Sequence, residues 1–216
     1  MKKKLLLMFF IVLIVIFLIL FINKSDNINE IINNTINKKD EYKITLTLKN
    51  IYSKNKMMST KIKYIEEKKN DLYKFTKKIY ENETLTKESI TYLDKNIFYY
   101  KEGDTYKQKE IKDINDIKDF NINYSSFFKG INKVKKIKTK DNKTYYKAKM
   151  KSEDAFSLIY DNPNNDDLDK YTYVYLVSFN NEIEEIYYSV KDKSNNIYYV
   201  DLKIDFGLQN IELDIN

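Results

Sequence analysis

The chain contains no cysteine, no histidine, no tryptophan and no arginine, so all 38 basic residues are lysines. Without cysteine there is no disulfide, no thiolate nucleophile or zinc ligand, and no lipobox residue to acylate. Without histidine there is no imidazole base poised near neutral pH, which excludes both Ser-His-Asp and Cys-His catalysis. Without arginine no bidentate clamp can close on a phosphate or a guanine edge. Only three glycines and one proline, Pro163, are available for turns, which leaves asparagine, aspartate and lysine to make most of them. A protein that is not an enzyme, carries no cofactor and binds no nucleic acid is the expectation.

Against these absences stand 20 tyrosines and a formal net charge of +6. Aromatic and β-branched residues suit pleated, half-buried surfaces. Setting aside Lys2, Lys3 and Lys4, which precede an apolar run, leaves a mild +3 on the remainder. No dense basic stripe is read after that run.

The run itself, LLLMFFIVLIVIFLILFI from Leu5 to Ile22, has no polar or charged residue. At ~1.5 Å per residue it covers most of a hydrocarbon core ~30 Å thick. Lysines in front and none inside predict a signal anchor with residues 1–4 in the cytoplasm and everything after Ile22 outside it. Phe21-Ile22-Asn23-Lys24 is a poor cleavage site. Cleavage would instead make the rest a secreted protein. The expected order is a basic segment 1–4, a transmembrane segment 5–22, a polar spacer 23–41 and an extracytoplasmic β-rich domain 42–216. Within the spacer, Ile28, Ile31, Ile32 and Ile36 also admit a short, weak helix.

From Tyr42 onward the hydrophobic period is two. Ile44, Leu46 and Leu48 alternate with lysines and threonines, and strands follow at Met58–Glu66, Leu72–Tyr80, Thr84–Leu93, Ile97–Tyr100 and Thr105–Ile111. From Ile114 to Ile131 the alternation gives way to near-helical spacing, which predicts one helix or two short ones. Strands resume at Val134–Thr139 and Thr144–Met150. A short helix capped by Ser152-Glu153-Asp154 comes next, then strands at Tyr171–Phe179, Ile183–Lys191 and Ile197–Phe206. About ten strands and one or two helices describe an α+β protein, a large curved antiparallel sheet with helices against one face.

The successive hairpins from Tyr42 to Ile111, the aromatic hairpin IFYYKEGDTYKQKEI at 97–111, the middle helix near 114–131, DNKTYYKAKM at 141–150 and the closing YYVDLKIDFGLQNIEL at 198–213 resemble the LolA-like and LppX-like lipoprotein-carrier superfamily. The resemblance covers roughly residues 42–213 and implies a half-barrel that wraps helices and leaves an apolar hollow for acyl chains. The candidate lining is Ile44, Leu46, Leu48, Tyr173, Tyr175, Val200, Leu202 and Ile204. The chain departs from that superfamily in lacking the lipobox cysteine. A permanently anchored domain holds or senses a lipid or other apolar ligand at the outer leaflet rather than ferrying it. The alternative expectation is a structural or protein-interaction module of the cell envelope.

Other candidates fare less well. Asp161 to Asp169 is an acidic loop of the kind hard cations favour, but Pro163 and Asp167 break the EF-hand template, so no metal site is assigned. Glu184 and Glu185 are adjacent on a strand and are expected on opposite faces, which prevents paired acid–base work. The alternation of Tyr171, Tyr173 and Tyr175 fits either core packing or cavity lining. Sequons at Asn34, Asn82, Asn123 and Asn142 are expected by chance in so asparagine-rich a chain.

Overall fold

The computed structural model describes residues 28–38, 41–52, 59–117, 124–159, 168–207 and 209–215. The apolar run Leu5–Ile22, residues 118–123 of the expected middle helix, Asn123 and the Asp161–Asp167 part of the acidic loop lie outside these residues. Among the described residues no helix is long and apolar enough to cross a membrane.

Among the described residues, eleven strands form one antiparallel sheet. They are β1 (Glu41–Ile51), β2 (Ser59–Lys69), β3 (Leu72–Glu81), β4 (Thr84–Asp94), β5 (Ile97–Glu102), β6 (Thr105–Glu110), β7 (Asn132–Lys140), β8 (Lys143–Lys151), β9 (Tyr171–Phe179), β10 (Glu182–Lys191) and β11 (Ile197–Phe206). The spatial order β6-β5-β4-β3-β2-β1-β11-β10-β9-β8-β7 joins two meanders through the pairing of the first strand with the last. The sheet is open, with edges at β6 and β7.

Asparagine does in the turns what glycine does elsewhere. The consecutive pairs Asn82-Glu83, Asp141-Asn142 and Asn180-Asn181 all have positive φ, between 49° and 65°. Two successive left-handed residues make the tight turn whose twist matches paired strands. These short turns fix the register, and with it which side chains face inward.

The inward face of the joined meanders is dry. Ile44, Leu46 and Leu48 on β1 stand opposite Ile204, Leu202 and Val200 on β11, and all six are buried. Two helices join the same core, packing over β8–β10: α1 (Ile28–Asn37) and α2 (Ser152–Ser157). Residues 28–37 fall within the segment read as a polar spacer, and it is the helical alternative that the fold adopts there. Ile28, Ile31, Ile32 and Ile36 give α1 an apolar stripe that packs on the core. Thr35 on the same stripe is fully buried; its hydroxyl donates to the Ile31 carbonyl and accepts from the Ile183 amide at 2.7 Å. That bond pins α1 to the start of β10.

Where one helix or two short ones were expected between the meanders, the described residues form two 3-10 turns, Ile114–Asp116 and Tyr124–Phe128. Tyr124, Phe127 and Phe128 are buried in the same core, and the Tyr124 hydroxyl donates to the Lys38 carbonyl at 3.1 Å. Near-helical spacing here reflects a few large rings that plug the core.

One composition reading is corrected. Residues 132–151, the β7–β8 hairpin, carry nine lysines and one acid, Asp141. This is a dense basic stripe, hidden in the whole-chain total because the remainder is slightly acidic.

Candidate functional site

The eight candidate lining residues do not share a face. Ile44, Leu46, Leu48, Val200, Leu202 and Ile204 lie on the concave side, in one buried cluster with residues of the helices and the Tyr124–Phe128 rings. Tyr173 and Tyr175 alternate with the buried Val174 and Leu176, so they lie on the convex side, and Tyr173 is 53% exposed. Parity decides this: Leu176, Ile186 and Leu202 are cross-strand neighbours within the core, as Tyr175, Tyr187 and Asp201 are on the other face.

Open space appears in the first meander. β4 and β5 pair over only three residue couples, Tyr92 with Tyr99, Leu93 with Phe98 and Asp94 with Ile97. Beyond them β4 stays with β3 while β5 stays with β6, and the sheet splits. The gap is a cleft of about 770 Å³. One wall is β4 from Lys87 to Thr91; the other is the β5–β6 hairpin with Phe98, Tyr100 and Tyr106. Ile79 and Ile90 extend the apolar lining, and Lys77, Lys87, Lys101 and Lys109 surround it against one acid, Glu88.

The rings are held in place. Phe98 and Tyr100 stack at 5.9 Å, Lys109 Nζ lies 5.5 Å from the Phe98 ring centre, and Lys77 Nζ lies 5.2 Å from that of Tyr64. Glu88 is already bound to Lys78 at 2.9 Å. The cleft therefore combines apolar walls with excess positive charge, a combination that suits a ligand with an apolar body and an anionic group.

The fold is similar to two solved structures. One is the Mycobacterium tuberculosis lipoprotein LppX, at 9% identity and a TM-score of 0.44, covering 88% of this chain and 100% of that one. The other is a LolA-superfamily protein from Nitrosomonas europaea, at 8% identity and a TM-score of 0.32, covering 85% of this chain and 94% of that one. No protein-family model and no curated protein matches the sequence. Similarity at this level transfers no residue and no ligand to the cleft, which stands on its own geometry.

A buried carboxylate, Glu66, escaped sequence reasoning. It is 1% exposed and accepts a hydrogen bond from the Tyr42 hydroxyl at 2.6 Å. Burial first, and then the Glu66 charge, push the Tyr42 hydroxyl far above its ordinary pKa; Tyr73 and Tyr124 are raised by the same two causes. The missed signal was parity, because Glu66 continues the inward series Ile62 and Tyr64 on β2.

The glutamates of β10 are also corrected. Ile183 and Ile186 are both fully buried, with a bulge between Ile183 and Glu185 that breaks strict alternation. Glu184 reaches Lys143 at 2.6 Å and Glu185 reaches Lys203 at 3.5 Å, so both are charge partners. Burial raises the Asp201 carboxyl above its usual range, with Lys203 opposing the shift. Among the described residues no group of three or more acidic side chains converges as a metal site would.

Proposed function

We propose that the chain is a non-enzymatic binding protein, held at the outer face of a membrane by Leu5–Ile22, whose ligand occupies the cleft between β4 and the β5–β6 hairpin. The ligand is amphipathic and anionic, such as a fatty acid or an acidic lipid. What carries this reading is the split of the sheet after three residue couples, which opens apolar walls ringed by four lysines. The ligand is thereby placed in this lateral cleft rather than in the hollow expected under the helices.

Native mass spectrometry of the full chain, purified from membranes in mild detergent, tests it alongside the Ser89→Trp variant. Ser89 is a half-buried cleft residue whose enlargement blocks the space. A stoichiometric acyl species on the parent, reduced at least tenfold on the variant, is the expected result. A clean apo mass for the parent rejects a lipid ligand.

A second reading draws on the same split. Among the described residues no strand pairs with the outer side of β4 over residues 84–91, and an extended peptide could add there through main-chain hydrogen bonds. A co-purifying peptide in place of a lipid would favour an envelope interaction module.

A further inference from the structure

The convex side of the second meander carries an arrangement that neither the core nor the cleft uses. Tyr171, Tyr173, Tyr187 and Tyr199 are exposed there, and Tyr175 stacks on Tyr187 at 5.1 Å. Three lysines of the adjoining hairpin lie over this aromatic surface: Lys147 Nζ is 3.8 Å from the Tyr173 ring centre, Lys149 is 3.8 Å from that of Tyr171, and Lys138 is 4.8 Å from that of Tyr145. Ile137, an aliphatic side chain on the edge strand β7, is 51% exposed among lysines.

The charge on this hairpin is costly to the isolated fold. The chain as a whole has a net +6, yet residues 132–151 alone hold nine lysines against Asp141. Lys135 stands directly opposite Lys147, and Lys140 opposite Lys143. Like charges in that position repel. The described acids bordering the surface are engaged elsewhere or at its margin: Glu184 with Lys143, Glu185 and Asp201 with Lys203, and Asp141 3.9 Å from Lys140. Edge lysines alone would discourage strand pairing. Edge protection does not account for tyrosines and an isoleucine exposed beside them.

We propose that this face, β7 and β8 with the convex tyrosines of β9, docks flat on an anionic lipid bilayer. Lysines meet acidic headgroups, tyrosine rings take the interfacial depth that suits an apolar body with a polar tip, and Ile137 enters the acyl boundary. The inference rests in part on the anchored reading. Five residues, Asn23 to Asn27, separate the apolar run from the first residue of α1. Fully extended they reach roughly 18 Å, which bounds how far the start of α1 stands from the bilayer in an anchored chain.

The absence of cysteine makes the test clean, because one introduced cysteine takes a single label. The full-length Ile137→Cys chain carries an environment-sensitive fluorophore and is reconstituted with phosphatidylcholine alone or with phosphatidylcholine containing 30% phosphatidylglycerol, each with doxyl-labelled lipid as quencher. A Leu85→Cys chain, labelled at an exposed residue of β4 in the other meander, is the control. The expected result is strong quenching at 137 in anionic bilayers only, lost in 0.5 M NaCl and in a Lys135→Glu/Lys138→Glu version. Equal quenching at 85 and 137, or none at 137 in anionic bilayers, overturns the proposal. Capture of soluble DNA or polyphosphate by a chain whose 137 label ignores the bilayer overturns it in favour of a soluble polyanion. Carbonate extraction of the same samples reads the anchor alone, so a failed anchor and a failed docking face are told apart.

Discussion

The two meanders share a construction and differ in what fills them. From β7 to β11, with β1, strands and helices enclose one cluster of twenty-one buried residues among those described, against five in the cluster of β3–β6 and the segment after it. The difference follows from covering layers. α1, α2 and the Tyr124–Phe128 turn lie on the first cluster, whereas among the described residues Ile111, Ile114 and Ile117 close the second. A sheet with little on its concave side can split without losing much burial, and the split is where the cleft opens. One half is closed on its concave side by covering layers; the other is split by the cleft.

Two leucines of equal chemistry put that difference to the hardest test. Leu202 is fully buried in the large cluster and Leu93 is 2% exposed in the small one. Leucine-to-alanine changes cost about 2–5 kcal/mol, depending on how far the surroundings relax into the gap. Leu202→Ala is expected near the upper end, about 4 kcal/mol, because packed neighbours on every side hold the cavity open. Leu93→Ala is expected near about 2 kcal/mol, because its surroundings border open space. Urea unfolding of both variants measures this. Equal losses would mean that the halves are equally packed and that the cleft is no weak point.

The next effect sits on the boundary, where β1 meets β2. Tyr42→Phe removes a donor from the buried Glu66, and hydrogen bonds to charged groups are worth about 1.5–3 kcal/mol. The raised pKa of Tyr42 fixes the sign with pH. Below about pH 10, the ordinary tyrosine value, folded and unfolded chains both keep the proton and the contribution is complete. Above it the unfolded chain ionises while the folded one does not, so stability falls as pH rises. Unfolding curves from pH 8 to 11 should show a shallower alkaline loss in the variant. Identical slopes would remove Tyr42 as the cause.

Much of this architecture was legible in the residues. Tyr171–Phe179 and Ile197–Phe206 are strands with the bounds that alternation predicted, and the turns at Asp141-Asn142 and Asn180-Asn181 are made by asparagine and aspartate, as the shortage of glycine and proline implied. Period two is a local property, so it survives without knowledge of neighbours. Facing is not local. Tyr173 and Val174 are both apolar enough to face inward, and only the register with β10 and β11 places Val174 in the core. The cleft was illegible for a related reason: it arises from how few couples join β4 to β5, while each strand taken alone looks complete. The helix α1 was hard to assign because ten polar-rich residues have weak intrinsic helicity, and packing of four isoleucines supplies what propensity lacks.

The smallest effect compares how the two halves treat opposed lysines. In the first meander Lys49 and Lys61 stand directly opposite on β1 and β2, and Glu83 from the β3–β4 turn bonds both, at 2.7 Å to Lys49. In the second, Lys135 and Lys147 are opposed with no described carboxylate between them. Glu83 is exposed, so its contribution is modest and screened by salt. The two lysines hold its carboxyl down to about 2, from an ordinary 4.5. A lowered carboxyl stabilises above its unfolded pKa and loses that contribution as pH falls through the folded one. Glu83→Gln should therefore be less stable than the parent above about pH 4.5 at low salt, with the two acid-unfolding curves converging toward pH 2 and in 1 M NaCl. Curves that coincide at pH 7 and low salt would show that opposed lysines need no such partner. Charge in the β7–β8 hairpin would then cost the fold little, and the argument that it is kept for an anionic surface would lose its energetic ground.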